Sequence, residues 1–285
     1  MSRRVPRHPA DLGQSPRAYP CRRDSSGASR PAASRPPGWG SGVTRPSNRG
    51  VITAALTAGL ALAAVSRQAY LVPALLAVAV VVFAIGWPRL LGLPSPRTST
   101  VVIAASGLSA IGLVAWREDF GILAPVVGFA VLAAFIAEMA RRDGRPRLVE
   151  SVAGTVMGAV VAIAATGWVA VGSSRPALAL IVTAATTLAA ACAATALPLT
   201  STRVATYATL VATAAGLGLG YLLADVGLLN GGIIGFAAGV LTAAAYLLFI
   251  RFPATVRWLP ALAAAGVPLL MAGGPTYLVG TLVFL

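Results

Sequence analysis

From Val51 to the end of the chain, apolar stretches of close to twenty residues alternate with short polar breaks. The pattern predicts spans near residues 51–66, 70–87, 99–116, 121–140, 149–172, 177–199, 204–224, 228–250 and 258–285. About 20 apolar residues in helical form cross the hydrocarbon core of a bilayer. Lipid offers a backbone no hydrogen-bond partner, so a segment must satisfy itself as a helix or close into a barrel. The two-residue alternation of a membrane barrel is missing. The expected fold is therefore all-α, a polytopic transmembrane helix bundle of about nine spans, within a range of eight to ten. The first stretch is short. The last is long and is interrupted by Pro260, Pro268 and the Gly273-Gly274-Pro275 cluster, so a kink, a re-entrant path, or one or two crossings all fit it.

Composition strengthens the membrane reading. The chain is 57% hydrophobic and only 11% charged, against about a quarter charged in soluble domains. A mean hydropathy of +0.82 is too high for one soluble core of this size, because a globule must still clothe itself in polar groups. Residues 1–50 differ. They carry ten arginines among Pro, Ser and Gly, with hardly an apolar run. Such a segment cannot bury enough surface to offset its ordering entropy and is expected to be a disordered basic tail, leaving 51–285 as the transmembrane domain.

Arginine placement gives an orientation. All 22 basic residues are arginine. Nineteen lie in the tail or in breaks on its side: Arg89, Arg97, Arg141, Arg142, Arg145, Arg147, Arg203, Arg251 and Arg257 beyond the tail's ten. Only Arg67, Arg117 and Arg175 fall on the other side. Cytoplasmic loops retain Arg and Lys during insertion, so the N-terminus is expected in the cytoplasm. A single crossing by the last segment then puts the C-terminus outside. The lysine-free, Ala- and Val-rich usage suggests a high-G+C bacterial gene, and hence a bacterial plasma membrane.

The same composition limits the chemistry. Without lysine there is no Gly-Lys-Ser/Thr phosphate loop. His8 is the one histidine and lies in the tail, so neither histidine catalysis nor a histidine-bound metal is expected in the membrane. No catalytic residue, cofactor site or metal site stands out. Cys21 and Cys192 belong to different environments and are not expected to pair.

What remains is weaker patterning. Gly154 and Gly158, with Ala162, share one face of a span; Gly216 and Gly220, with Ala212, share another; Gly231, Gly235 and Gly239 share a third. At four-residue spacing such faces let helices approach closely, whether to pack or to slide. Thr183 and Thr187 line one helix face, and Thr206, Thr209 and Thr213 another. Their hydroxyls can return to their own helix, bond across helices or line a polar pathway. Asp225 and Asn230 sit at an expected outer mouth, Asn230 as a cap or a ligand contact. Glu138 lies three and four residues before Arg141 and Arg142, a local ion pair by spacing. Glu150 opens a span, where a carboxylate suits the helix N-terminus. Arg141, Arg142, Arg145 and Arg147 surround an Asp-Gly turn and can hold an anionic lipid head group or simply fix topology.

These features support three functional expectations: a permease-like transporter or channel for a small or amphipathic solute, a non-enzymatic scaffold of the cell envelope, and an enzyme. The third rests on Glu118-Asp119, an acidic pair that resembles the outer-loop pairs of multi-helix glycosyltransferases using lipid-linked sugars. The long outer loops of such enzymes are absent. Expected partners are the bilayer and its anionic phospholipids, with a membrane-protein partner or a second copy left open; nucleic acid is not expected.

Overall fold

The computed structural model describes residues 46–66, 68, 70–117, 121, 123–141, 144, 147–172, 174–252 and 257–284. The expected tail up to residue 45, Glu118, Asp119, Arg142 and Arg145 lie outside the described residues. Among the described residues ten helices follow one another: α1 (Pro46–Val65), α2 (Leu71–Leu90), α3 (Pro96–Arg117), α4 (Leu123–Met139), α5 (Leu148–Ala164), α6 (Gly167–Ala170), α7 (Arg175–Ala194), α8 (Ser201–Leu222), α9 (Leu228–Phe249) and α10 (Trp258–Phe284). Seven segments are long and apolar enough to cross a membrane, counting α5 and α6 together, and two shorter apolar helices, α1 and α4, accompany them.

Local chemistry explains where the helices stop. Ser174 caps α7, its side chain accepting from the Ala177 backbone N–H at 3.3 Å, with Pro176 in the first turn. Pro198 cannot continue a helix, and α8 restarts from Thr200. Gly227 takes a positive φ of 78° at the turn into α9, a conformation glycine adopts without steric cost.

The pattern leaves the path of the last segment open and draws 149–172 as an unbroken helix. Residues 258–284 form one continuous helix, with Pro268 and Pro275 inside it. Instead of turning back, α10 packs against α1, α2, α5, α6, α7 and α9 and becomes the centre of the bundle. The expected single span 149–172 breaks at Ala165-Thr166 into α5 and α6. The cause is a close crossing: a side chain on Gly167 would strike the Gly273 backbone of α10, and one on Gly273 would strike the Ala164 carbonyl. The Trp168 indole N–H then donates to the Leu269 carbonyl at 2.9 Å, fixing the break against α10.

The core is built from Leu60, Leu76, Val80, Phe83, Ile103, Trp168, Leu180, Ile181, Leu188, Leu269 and Leu270, all essentially without exposure. The outside is also apolar: Phe129 is 72% exposed, Val149 76% and Leu282 82%. Water does not tolerate so continuous an apolar surface, whereas acyl chains solvate it. The molecule is an all-α membrane protein.

Candidate functional site

The bundle has two unlike ends. Contacts join the start of α1 to the end of α7 (Gly50 against Thr195), the end of α2 to the starts of α5 and α10 (Trp87 to Gly154, Gly86 against Leu259), and the end of α2 to the end of α9 (Trp87 and Phe249 rings 6.5 Å apart). Among the described residues this end also carries Arg89, Arg97, Arg141, Arg147, Arg203, Arg251 and Arg257, while Arg117 and Arg175 lie at the opposite end.

A polar hub occupies the arginine-rich end. Glu138, near the end of α4, is only 2% exposed. One of its carboxylate oxygens accepts from the Ser95 hydroxyl at 2.9 Å and from the Ser151 hydroxyl; the other accepts from Arg141 at 2.6 Å. One turn deeper, Thr155 donates to the Ser99 hydroxyl at 2.8 Å. Carboxylate, serines and threonine thereby tie the start of α3, the end of α4 and the start of α5 together. The 138–141 spacing gives the local ion pair, but it carries no sign of Ser95 or Ser151, which arrive from other elements. Glu150 contrasts with it. Its pair with Arg147 is exposed on both sides, at 53% and 61%, and Arg147 also donates to the Gly92 carbonyl. Arg141 and Arg147, the arginines of the 141–147 turn among the described residues, thus both have protein partners.

The small-residue faces divide into two kinds. Gly216 and Gly220 on α8 meet Gly231 and Gly227 at the start of α9, backbone against backbone, and Gly235 and Gly239 meet Ala212 and Thr209 in return. The second and third stripes are thus two halves of one contact. Gly154 and Gly158 do something else: their bare faces receive Leu93, Ile103 and the Trp87 ring, whose N–H donates to the Gly154 carbonyl at 2.9 Å.

The threonines expected to share faces all bond within their own helices. Thr183 donates to Ala179, Thr187 to Ala184, Thr206 to Thr202, Thr209 to Ala205 and Thr213 to Thr209. Thr183 and Thr187 are buried, Thr206 is exposed. The Asn230 amide donates to the Val226 carbonyl at 2.9 Å; it lies inside the first turn of α9, whose N-cap is Gly227 with no side-chain cap. Asp225 is exposed at the turn before α9.

Space is found along the seam between α1 and α7. At the arginine-poor end a cavity of about 350 Å³ is lined by Ala63, Ala64, Gln68, Val114, Trp168 and Ile181, among others. At the other end a cavity of about 60 Å³ lies between Thr53 of α1, Cys192 and Thr195 at the end of α7, Thr242 and Tyr246 of α9, and Ala264, Ala265 and Pro268 of α10. Between them Thr57, Leu60, Ala184 and Leu188 are buried and close the seam. A third small gap, lined by Ala184, Ile234, Ala238 and Thr276, adjoins the closure on its α9–α10 side. Sequence reasoning passed over Thr53, Thr195 and Thr242, since isolated threonines in apolar runs carry no periodic signal.

The chain matches no family model, and no curated protein or solved structure is significantly similar to it.

Proposed function

We propose that the protein is a permease-like transporter or channel for a small solute in a bacterial plasma membrane, with the arginine-rich end and the N-terminus in the cytoplasm. The observation that carries this reading is the pair of cavities at opposite ends of the α1–α7 seam, parted by a buried closure of a few side chains. Ligand sites in helical membrane proteins lie between helices, where irregular backbone and cavities are sheltered from lipid. The elements beside the seam suit rearrangement: α6 is a single broken turn, and α10 carries Pro268 and Pro275 in its interior. Orientation follows from the same arginine asymmetry that patterns the sequence.

Cysteine labelling tests the path and its direction together. In a Cys21→Ser, Cys192→Ser background, Ala63→Cys should react with a membrane-impermeant maleimide from outside intact cells. Thr195→Cys should react only in inverted vesicles. Labelling of both from one side would sink the reading. Purified protein in liposomes should also raise the flux of at least one small neutral solute above that of empty vesicles, and equal flux across a broad panel would point to the scaffold reading instead.

A further inference from the structure

The smaller cavity has a consistent chemistry. Its three threonines have spent their protons: Thr53 donates to the Ala265 carbonyl at 2.8 Å, Thr195 to Cys192 at 2.6 Å and Thr242 to Ala238 at 2.8 Å. A hydroxyl carries one donor and two lone pairs, so Thr195 and Thr242 offer the cavity acceptor capacity only. Ala264, which also lines it, lies four residues before Pro268, and proline supplies no N–H to the carbonyl of residue i−4. Tyr246 adds a phenol that can act either way, while the Cys192 thiol lies 3.9 Å from the Thr242 hydroxyl and directs its S–H there, leaving that oxygen one lone pair for the cavity.

Among the described residues, no Asp, Glu, Arg or His lines this cavity, and the larger one presents Gln68 as its polar side chain. A bare ion entering would lose its hydration with no countercharge to replace it, at a cost of several kcal/mol. The volume, about 60 Å³, exceeds the roughly 10–15 Å³ that one water needs, but by only a few-fold.

We infer that this cavity is a selectivity site for small neutral solutes that donate hydrogen bonds, such as a short polyol or an amide of the urea type, and that it discriminates against ions and against solutes that only accept. The inference rests on the permease reading and names its substrate class. A donor-bearing solute finds acceptors already oriented by the helices that hold them. An acceptor-only solute can draw on the Tyr246 phenol but otherwise faces lone pairs, and recovers less of the hydration it gives up.

The test uses the full-length protein in liposomes, with stopped-flow swelling in urea, glycerol and N,N-dimethylformamide. Urea or glycerol should permeate at least several-fold faster than in empty vesicles, with a protein-dependent increment absent for dimethylformamide. Thr195→Val and Thr242→Val, which keep the side-chain shape, should lower the urea increment several-fold, and Thr195→Ser should restore it. Flux that ignores donor capacity, or that both valine variants leave unchanged, overturns the inference while leaving the permease reading intact. Should no solute permeate, the permease reading fails, and binding decides the inference alone. Urea should then slow alkylation of Cys192 by N-ethylmaleimide in a Cys21→Ser background, more than equimolar dimethylformamide does; equal rates overturn it.

Discussion

The α8–α9 hairpin and the α1–α7–α10 seam are both helix contacts in the same apolar bundle, yet they are made in opposite ways. In the hairpin, glycines face glycines and the two backbones touch, so no space is left. In the seam, large side chains and hydroxyls cross between helices. Trp168 and Thr53 both reach α10, each through a side-chain donor to a main-chain carbonyl. Side chains of unequal size leave voids between them, and the described cavities lie there. Small residues give closeness; mixed residues give room. The conspicuous glycine repeats of α8 and α9 therefore mark where two helices close on each other, and the less conspicuous threonines mark where the bundle leaves room.

The largest effect is expected at the hub that ties α3, α4 and α5, a contact made, like the seam, by side chains. Glu138→Ala removes the carboxylate shared by Ser95, Ser151 and Arg141 and should lower stability by about 3–5 kcal/mol, as for other broken buried pairs. The check is unfolding in mixed micelles followed by circular dichroism. If Glu138→Ala unfolds as the wild type does, the hub is ornamental. Next in size is the hairpin. Gly216→Val drives a side chain into the Gly231 carbonyl and should cost about 1–3 kcal/mol in the same assay. Gly218 has open space around it, so Gly218→Ala should change stability by less than about 1 kcal/mol, and upward, since Ala loses less entropy in a helix. Equal effects at positions 216 and 218 would remove the backbone-contact account.

Smaller effects sharpen the seam itself. Trp168→Phe keeps the packing but deletes the bond to Leu269, and should cost about 0.6–1.7 kcal/mol, the range of interhelical hydrogen bonds in membranes. Smallest of all, Glu150→Gln should fall below about 0.5 kcal/mol because its pair with Arg147 is solvent-exposed. Thermal scans of tryptophan fluorescence in detergent resolve the first, and salt titration of the wild type checks the second.

The contrast between Glu138 and Glu150 also shows how far residues can be read before they are folded. Each has an arginine three residues away, and by spacing alone the two pairs look alike. Burial separates them, because the Ser95 segment and the first turn of α5 close over one carboxylate and not the other. Gly154 and Gly216 are similar in this respect. Both belong to four-residue stripes, but one receives leucine side chains and the other a backbone, and only the neighbouring segment decides which. Conversely, α7 and α8 end at Ser174, Pro198 and Thr200 for reasons wholly local to those residues, so their limits were within a few residues of the pattern's own.

By itself the sequence determined the helical membrane architecture, the approximate limits of its spans and the asymmetric charge of its two ends. Those follow from chain-local physics: the length of apolar runs, the need of a backbone in lipid to bond with itself, and the chemistry of caps and prolines. Tertiary structure alone decided that α10 runs unbroken through the centre, that α5 parts from α6, and that two glycine stripes are one contact. It alone brought Thr53, Thr195 and Thr242 around a common space. These depend on which helices meet and at what height, and no periodicity within a single helix records that.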